Sequence, residues 1–144
     1  MMAKPRKILE IGTSIGFSTV SMAKVIQHYG GKIVTMEIDA EVAKQAVSNF
    51  EREGVKEQIE VRIGEARTII SGMNEEFALI FQDVGDKKLY GEMLEDYIRL
   101  LTPGGLLIAE DTLFPVFDFD SEFGDWISMC ESLDTLASLP VDAI

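Results

Sequence analysis

The segment Ile8–Ser18 constrains the fold of this 144-residue chain more than any other part of the sequence. An apolar run that ends at Ile11 leads into a loop with glycines at positions 12 and 16, and a helical pattern of apolar residues follows. This order predicts a strand, a tight turn and the start of a helix. Glycine lets the backbone approach a ligand closely, and the first turn of a helix offers free N–H groups. The segment therefore predicts a site for a nucleotide-like cofactor.

The order of strand and helix then repeats along the chain. The predicted strands are Lys7–Ile11, Lys32–Met36, Ile59–Ile63, Phe77–Phe81 and Leu106–Ala109. The first predicted helix runs from about Ser18 to Tyr29, a short one lies near Ala66–Ile70, and a last one begins near Ser121. Two more are predicted from apolar faces: Ala43, Ala46, Val47 and Phe50, with Gly54 as the stop, and Tyr90, Leu94, Tyr97 and Leu101, with Pro103-Gly104-Gly105 ending the pattern. Five such units in strict alternation predict a Rossmann-like, doubly wound α/β fold, with a mostly parallel sheet and helices on both faces. The third strand alternates apolar and charged residues and is expected near an edge of the sheet.

Composition narrows the class of protein. A hydrophobic content of 47% suffices for one sizeable core. The formal net charge of -12 argues against a broad nucleic-acid surface or an anionic membrane as partner, although a local basic patch is compatible with it. No apolar run approaches the roughly 20 residues that cross a bilayer, and no signal peptide is visible. The single cysteine, Cys130, forms no internal disulfide, so a cytoplasmic location is expected.

Polar and acidic residues gather at the predicted carboxyl ends of the strands. They are Glu10 to Gly16, Glu37 with Asp39, Gly64 with Glu65, Asp83 to Lys87, and Glu110 with Asp111. Ligands of parallel α/β sheets bind beyond these ends. The functional site is therefore expected along this edge of the sheet.

The spacing of the first glycines selects the kind of cofactor. The dinucleotide fingerprint Gly-x-Gly-x-x-Gly would need glycines where Ser14 and Phe17 stand. The pattern is instead Glu10-x-Gly12-x-x-x-Gly16, which resembles the first motif of class I methyltransferases that bind S-adenosylmethionine (SAM). The alternative is that the two glycines only shape a turn.

Glu37 ends the second predicted strand. A carboxylate at this point can accept hydrogen bonds from both hydroxyls of a ribose, because it has two acceptor oxygens. The alternative is a solvated acid at a strand end. Given the glycine motif before it, we interpret Glu37 as a ribose-binding residue.

Together these segments resemble the cation-dependent O-methyltransferases, the family that includes catechol and caffeoyl-CoA O-methyltransferases. The resemblance rests on Ile8–Ala23 with its Phe17-Ser18 pair, Glu37, Gly64-Glu65-Ala66, Leu79–Tyr90 and Leu100–Leu113. It implies a single SAM-dependent methyltransferase domain over residues 1–144. The cofactor-binding residues that it implies are Glu10, Gly12, Thr13, Gly16, Phe17, Ser18, Glu37, Gly64, Glu65, Ala66 and Asp83.

The acids after the last two strands predict a metal site. Asp83, Glu110 and Asp111 follow adjacent predicted strands and can converge on one Mg²⁺ or other divalent cation, which prefers oxygen ligands. The alternative is a set of mutually repelling surface acids or helix caps. By the resemblance, Asp83 and Lys87 are the catalytic residues, with Lys87 helping to deprotonate an acceptor hydroxyl; Lys88 competes for that role, and an exposed lysine at a helix start is the alternative.

The resemblance implies methyl transfer to a small catechol-like or phenolic acceptor. Methylation of a hydroxylated tRNA base and a cofactor-binding module without catalysis are the alternatives. Three departures affect these expectations: one extra residue separates Asp83 from Lys87, Glu110-Asp111 replaces the usual Asp-Asn pair, and the chain is short. The family's N-terminal helices and final strand pair are not present in full, so we expect a chain truncated at both ends, and a homodimer for the full-length protein.

Overall fold

The computed structural model describes residues 4–86 and 88–110, which form alternating strands and helices. The strands are β1 (Lys7–Ile11), β2 (Lys32–Glu37), β3 (Ile59–Ile63), β4 (Phe77–Gln82) and β5 (Leu101–Ala109). The α-helices are α1 (Phe17–Ile26), α2 (Ala40–Arg52), α3 (Ala66–Ser71), α4 (Lys88–Glu92) and α5 (Leu94–Leu100), and short 3₁₀ turns cover Gln27–Tyr29 and Lys56–Gln58. None of the described helices is long and apolar enough to cross a membrane.

The five strands form one sheet in the order β3-β2-β1-β4-β5, and all four neighbouring pairs are parallel. This confirms the predicted doubly wound α/β sheet, and β3 lies at an edge as predicted. The chain moves outward from β1 to β3 and then returns to the other side of β1. Loops on the two sides of β1 therefore diverge at the carboxyl ends of the strands, where ligands of such sheets bind.

A hydrophobic core lies on each face of the sheet. Successive side chains of a strand point to opposite faces, so Ile8 packs with α1 and α2 while Leu9 packs with α3, α4 and α5. Both side chains are fully buried. Coverage on both faces explains the nearly continuous apolar runs of the central strands and fixes β1 as a rigid support for the loop that follows it.

The apolar pattern from Tyr90 to Leu101 was predicted as one helix and is two. Helix α4 ends at Glu92 and α5 begins at Leu94, so the pattern is interrupted at Met93. The Pro-Gly-Gly sequence that follows does not end the helix. It lies inside β5, where the pairing with β4 jumps from Leu101 to Leu106. A proline lacks the N–H that a strand donates, and an irregular stretch at the edge of the described sheet tolerates it.

The first helix is also shorter than predicted. It is α-helical only to Ile26, and Gln27–Tyr29 continue as a 3₁₀ turn that ends at Gly30, whose φ is 73°. The predicted helix from about Ser121 lies outside the described residues.

Candidate functional site

A cleft of about 800 Å³ opens at the carboxyl ends of the strands. It brings together most of the residues that the sequence predicts for a cofactor site, namely Gly12, Thr13, Phe17, Ser18, Glu37, Gly64, Glu65, Ala66 and Asp83. Sequence reasoning did not assign the neighbouring lining residues Ser14, Ile15, Ile38, Val84, Gly85, Asp86 and Leu89. For Ile38, its position directly after Glu37 was the one signal in the sequence that could have placed it at the cleft. Glu10 and Gly16, which the sequence also predicts for the cofactor site, are not among the residues that line the cleft.

Gly12 lets the loop after β1 pack directly on the loop after β4. Its φ is 96°, and a Cβ atom at this position would lie 1.9 Å from the carbonyl oxygen of Asp83. The N–H groups of Gly12 and Thr13 both donate to the carbonyl of Met36, at 3.1 and 3.0 Å. The backbone around Gly12 is therefore fixed against both neighbouring strands and forms the floor of the cleft without a side chain.

Gly16 lets the start of α1 pack closely against α2 and is not among the residues that line the cleft. It precedes α1 with a φ of 87°, and a Cβ atom there would lie 2.3 Å from Cε1 of Phe50 on α2. The two glycines of the motif thus have different neighbours: Gly12 meets a backbone carbonyl, and Gly16 meets an aromatic ring of the core.

Glu37 links the loops after β1 and β2 within the cleft. Its Oε2 accepts a hydrogen bond from the N–H of Ser14 at 2.8 Å, and its Oε1 accepts one from the N–H of Asp39 at 3.1 Å. Ser14 has a φ of 49°, a left-handed conformation that is uncommon outside glycine. Each carboxylate oxygen has a further lone pair. Glu37 can therefore accept two more hydrogen bonds from a ligand that carries neighbouring hydroxyls.

Glu65 is the N-cap of α3. Its carboxylate accepts hydrogen bonds from the backbone N–H groups of Arg67 and Thr68, at 3.2 and 2.9 Å, and from the hydroxyl of Thr68. The hydrogen bonds from Thr68, followed by the one from Arg67, lower the pKa of Glu65. Since the carboxylate caps the helix, Glu65 is held in a fixed position and brings a negative charge to the cleft.

Glu10 is fully buried beneath the loop. Its carboxylate accepts hydrogen bonds from the hydroxyls of Ser18 at 2.6 Å, Thr19 at 2.5 Å and Thr35 at 2.6 Å. Burial raises the pKa of Glu10 above its ordinary value of 4.5, and the three hydroxyl donors oppose that shift. The carboxylate faces these three side chains because β1 alternates its side chains between the two faces of the sheet.

The raised pKa of Glu10 predicts how its charge affects stability. A group whose pKa is higher in the folded than in the unfolded state contributes stability that is complete below the unfolded value. That contribution is lost as the pH rises through the folded value. The charged group that acts on Glu10 is Asp83 beyond the end of β4, which also raises the pKa; the partners on β2 and α1 are neutral hydroxyls.

We therefore expect the variant Glu10→Gln to gain stability relative to the unmodified chain as the pH rises above about 4.5. The measurement is the free energy of unfolding from denaturant titrations at several pH values for both proteins. A difference between them that does not change with pH would contradict the prediction.

The residues of the predicted metal and catalytic site are only partly described. Asp83 lines the cleft. Glu110 follows β5, where its N–H donates to the carbonyl of Gln82 at 2.9 Å and its own carbonyl accepts from the hydroxyl of Tyr90 at 3.1 Å. Lys87 and Asp111 lie outside the described residues. Within residues 4–86 and 88–110, no three His, Cys, Asp or Glu residues form a group that could hold an ion, so the metal site stays a prediction.

Comparison with known proteins identifies the family. The family described as O-methyltransferase matches residues 1–132 of this chain. The chain belongs to this O-methyltransferase family. Family membership confirms the resemblance that the glycine motif and the later strand ends indicated. A catechol O-methyltransferase of Niastella koreensis is 34% identical over 116 residues, which are 78% of this chain and 52% of that protein. The chain thus spans about half the length of the curated relatives that it matches.

Solved structures of family members share the fold. An O-methyltransferase from Bacillus cereus, in complex with S-adenosylhomocysteine (SAH), aligns with a TM-score of 0.73 and 31% identity over 82% of this chain and 56% of its own. The tomaymycin-synthesis O-methyltransferase from Streptomyces achromogenes, in complex with SAM, aligns with a TM-score of 0.75 and 26% identity over 82% of this chain and 54% of its own. The described sheet and helices are therefore part of the class I methyltransferase fold.

Proposed function

We propose that this chain binds SAM in the cleft and is part of a SAM-dependent O-methyltransferase that acts on a small catechol-like or phenolic hydroxyl compound. The observation that carries the proposal is that one cleft is lined both by the backbone at Gly12, which has no side chain, and by the carboxylate of Glu37. SAM carries a ribose with two neighbouring hydroxyls and no pyrophosphate. A single ribose acceptor and a loop without the dinucleotide glycines suit that molecule.

The side of the cleft around Glu37 suits the adenosine half of SAM. Met36, Ile38 and Ala66 line the cleft beside Glu37 and offer apolar surface to a base. Ile38 is 70% exposed and Met36 is 1% exposed, so Ile38 presents most of that surface. In this arrangement the ribose hydroxyls donate to Glu37 and the methionine half lies over the loop from Gly12 to Ser18.

The acceptor half of the site would begin at Asp83. A hydroxyl is a weak nucleophile until it loses its proton, and a divalent cation lowers the pKa of a hydroxyl that it binds. Asp83, Glu110 and Asp111 would hold the cation, and Lys87 would take up the hydroxyl proton. The catechol and tomaymycin enzymes among the relatives favour a small hydroxylated acceptor over tRNA, and the net charge of -12 points the same way.

Calorimetric titration of the chain with SAH tests the cofactor proposal. We expect saturable binding, and we expect Glu37→Gln to weaken it about tenfold or more, because a hydrogen bond to a charged group is replaced by one to a neutral amide. Glu41→Gln is the matched control, since Glu41 is an exposed acid in the first turn of α2 that pairs with Lys44 outside the cleft. The proposal is wrong if SAH does not bind, or if both variants bind it as the unmodified chain does.

A further inference from the structure

The buried hydroxyls around Glu10 have a fixed order of donation. A threonine hydroxyl has one proton to donate, and Thr35 donates its proton to Oε2 of Glu10 at 2.6 Å. The hydroxyls of Thr13 and Thr35 are 2.7 Å apart. Since the proton of Thr35 is already committed, Thr13 is the donor in this second hydrogen bond. Thr13 is therefore tied to Glu10 through Thr35, and Ser18 is tied to it directly.

Two of the residues in this network reach the cleft. Thr13 and Ser18 line it, whereas Glu10, Thr19 and Thr35 do not. The side chains of Thr13, Thr19 and Thr35 are almost fully buried, with exposures of 1%, 0% and 0%. The carboxylate of Glu10 is thus hydrogen-bonded, directly or through Thr35, to a residue at each end of the loop that forms the floor of the cleft: Thr13 and Ser18.

A carboxylate is not what stability alone would select at this position. Glu10 lies on the central strand, opposite Thr35 on β2 and Phe81 on β4. A buried charge costs desolvation energy, and well-packed apolar residues in place of buried ionic groups often leave a protein equally or more stable. The residues on either side of it, Leu9 and Ile11, are apolar and buried. The charge therefore needs an explanation other than packing.

We propose that Glu10 is a positioning residue for the cofactor loop. Through Thr35 it holds Thr13, and directly it holds Ser18, so that the loop keeps the conformation that binds the ligand before the ligand arrives. Glu10 does this without touching the ligand. The inference rests on the proposed SAM-binding function and deepens it, because it assigns part of the cofactor affinity to residues beneath the cleft.

The chain offers a matched pair of variants for the test. Thr35→Val and Thr19→Val each remove one buried hydroxyl, replace it with a group of the same shape, and take one hydrogen bond from the same oxygen of Glu10. Of the two threonines, only Thr35 is also hydrogen-bonded to a residue that lines the cleft, Thr13. A purely structural role of the network predicts similar effects of the two substitutions on ligand binding.

The experiment measures the dissociation constant for SAH by calorimetry and the free energy of unfolding for both variants and the unmodified chain. If Glu10 positions the loop, the dissociation constant of Thr35→Val rises about tenfold and that of Thr19→Val changes less than about twofold. Thr35→Val is also expected to lose more stability than Thr19→Val, because it removes the hydrogen bond with Thr13 as well as the one to Glu10. Equal changes in the dissociation constant overturn the proposal.

Hydrogen exchange of the Thr13 amide, which donates to the carbonyl of Met36, separates this proposal from the proposed function. If the unmodified chain does not bind SAH, the proposed function is wrong, and the exchange measurement still decides the role of Glu10. Faster exchange of this amide in Thr35→Val than in Thr19→Val supports the positioning role, and equal exchange in the two variants overturns it.

Discussion

Gly12→Ala is expected to abolish SAH binding and to destabilise the fold. The new Cβ atom would lie 1.9 Å from the carbonyl oxygen of Asp83, which is backbone and cannot turn aside as a side chain could. The φ of 96° adds the penalty of a left-handed conformation. We expect a total loss of roughly 2–5 kcal/mol in the free energy of unfolding, since the left-handed conformation costs about 1–2 kcal/mol and the clash about 1–3 kcal/mol.

Gly54→Ala is the control for Gly12→Ala. Gly54 has a φ of 69°, and a Cβ atom there would meet nothing within 4 Å. It therefore carries the conformational penalty alone, about 1–2 kcal/mol, at a position outside the cleft. Denaturant titration and SAH calorimetry of both variants make the comparison. A Gly12→Ala protein as stable as Gly54→Ala, with SAH affinity intact, would mean that the loop moves freely away from Asp83.

Under the proposed function, Asp83→Asn is expected to lower metal-stimulated methyl transfer to catechol by about 100-fold or more, because a metal ion that activates an acceptor hydroxyl lowers the barrier by several kcal/mol. The substitution keeps the shape of the side chain and removes its charge. Calorimetric titration with Mg²⁺ in the presence of SAH gives a second readout, in which the variant should bind the ion more weakly than the unmodified chain does.

Asp86→Asn is the matched control for Asp83. Asp86 lies three residues further along the same loop, lines the same cleft and accepts a hydrogen bond from the N–H of Lys88 at 3.1 Å, where α4 begins. We expect this variant to keep its response to Mg²⁺ and to chelation. Unchanged Mg²⁺ binding and turnover in Asp83→Asn would remove Asp83 from the proposed metal site.

The sequence predicted the strands well because their signals are local. The apolar run of β4 and the alternation in β3 are properties of five or six consecutive residues, and burial on both faces or on one face produces these two patterns directly. The parallel arrangement followed from the helices between the strands, since parallel neighbours need long connections. The break at Met93 and the continuation of β5 through Pro103 carry no comparable signal, because an apolar pattern with helical spacing continues across the first and a proline usually marks the end of an element.

The sequence by itself therefore determined the fold class, the parallel character of the sheet and the resemblance to the O-methyltransferases, because periodicity and glycine spacing are encoded within single segments. Only the tertiary structure decided what each motif residue does. Gly12 meets the backbone of Asp83, Gly16 meets the ring of Phe50, and Glu10 meets three hydroxyls. The side chains and carbonyls that give these positions their roles come from segments distant in sequence. Which atoms surround a residue depends on how the segments pack, and no local pattern contains that information.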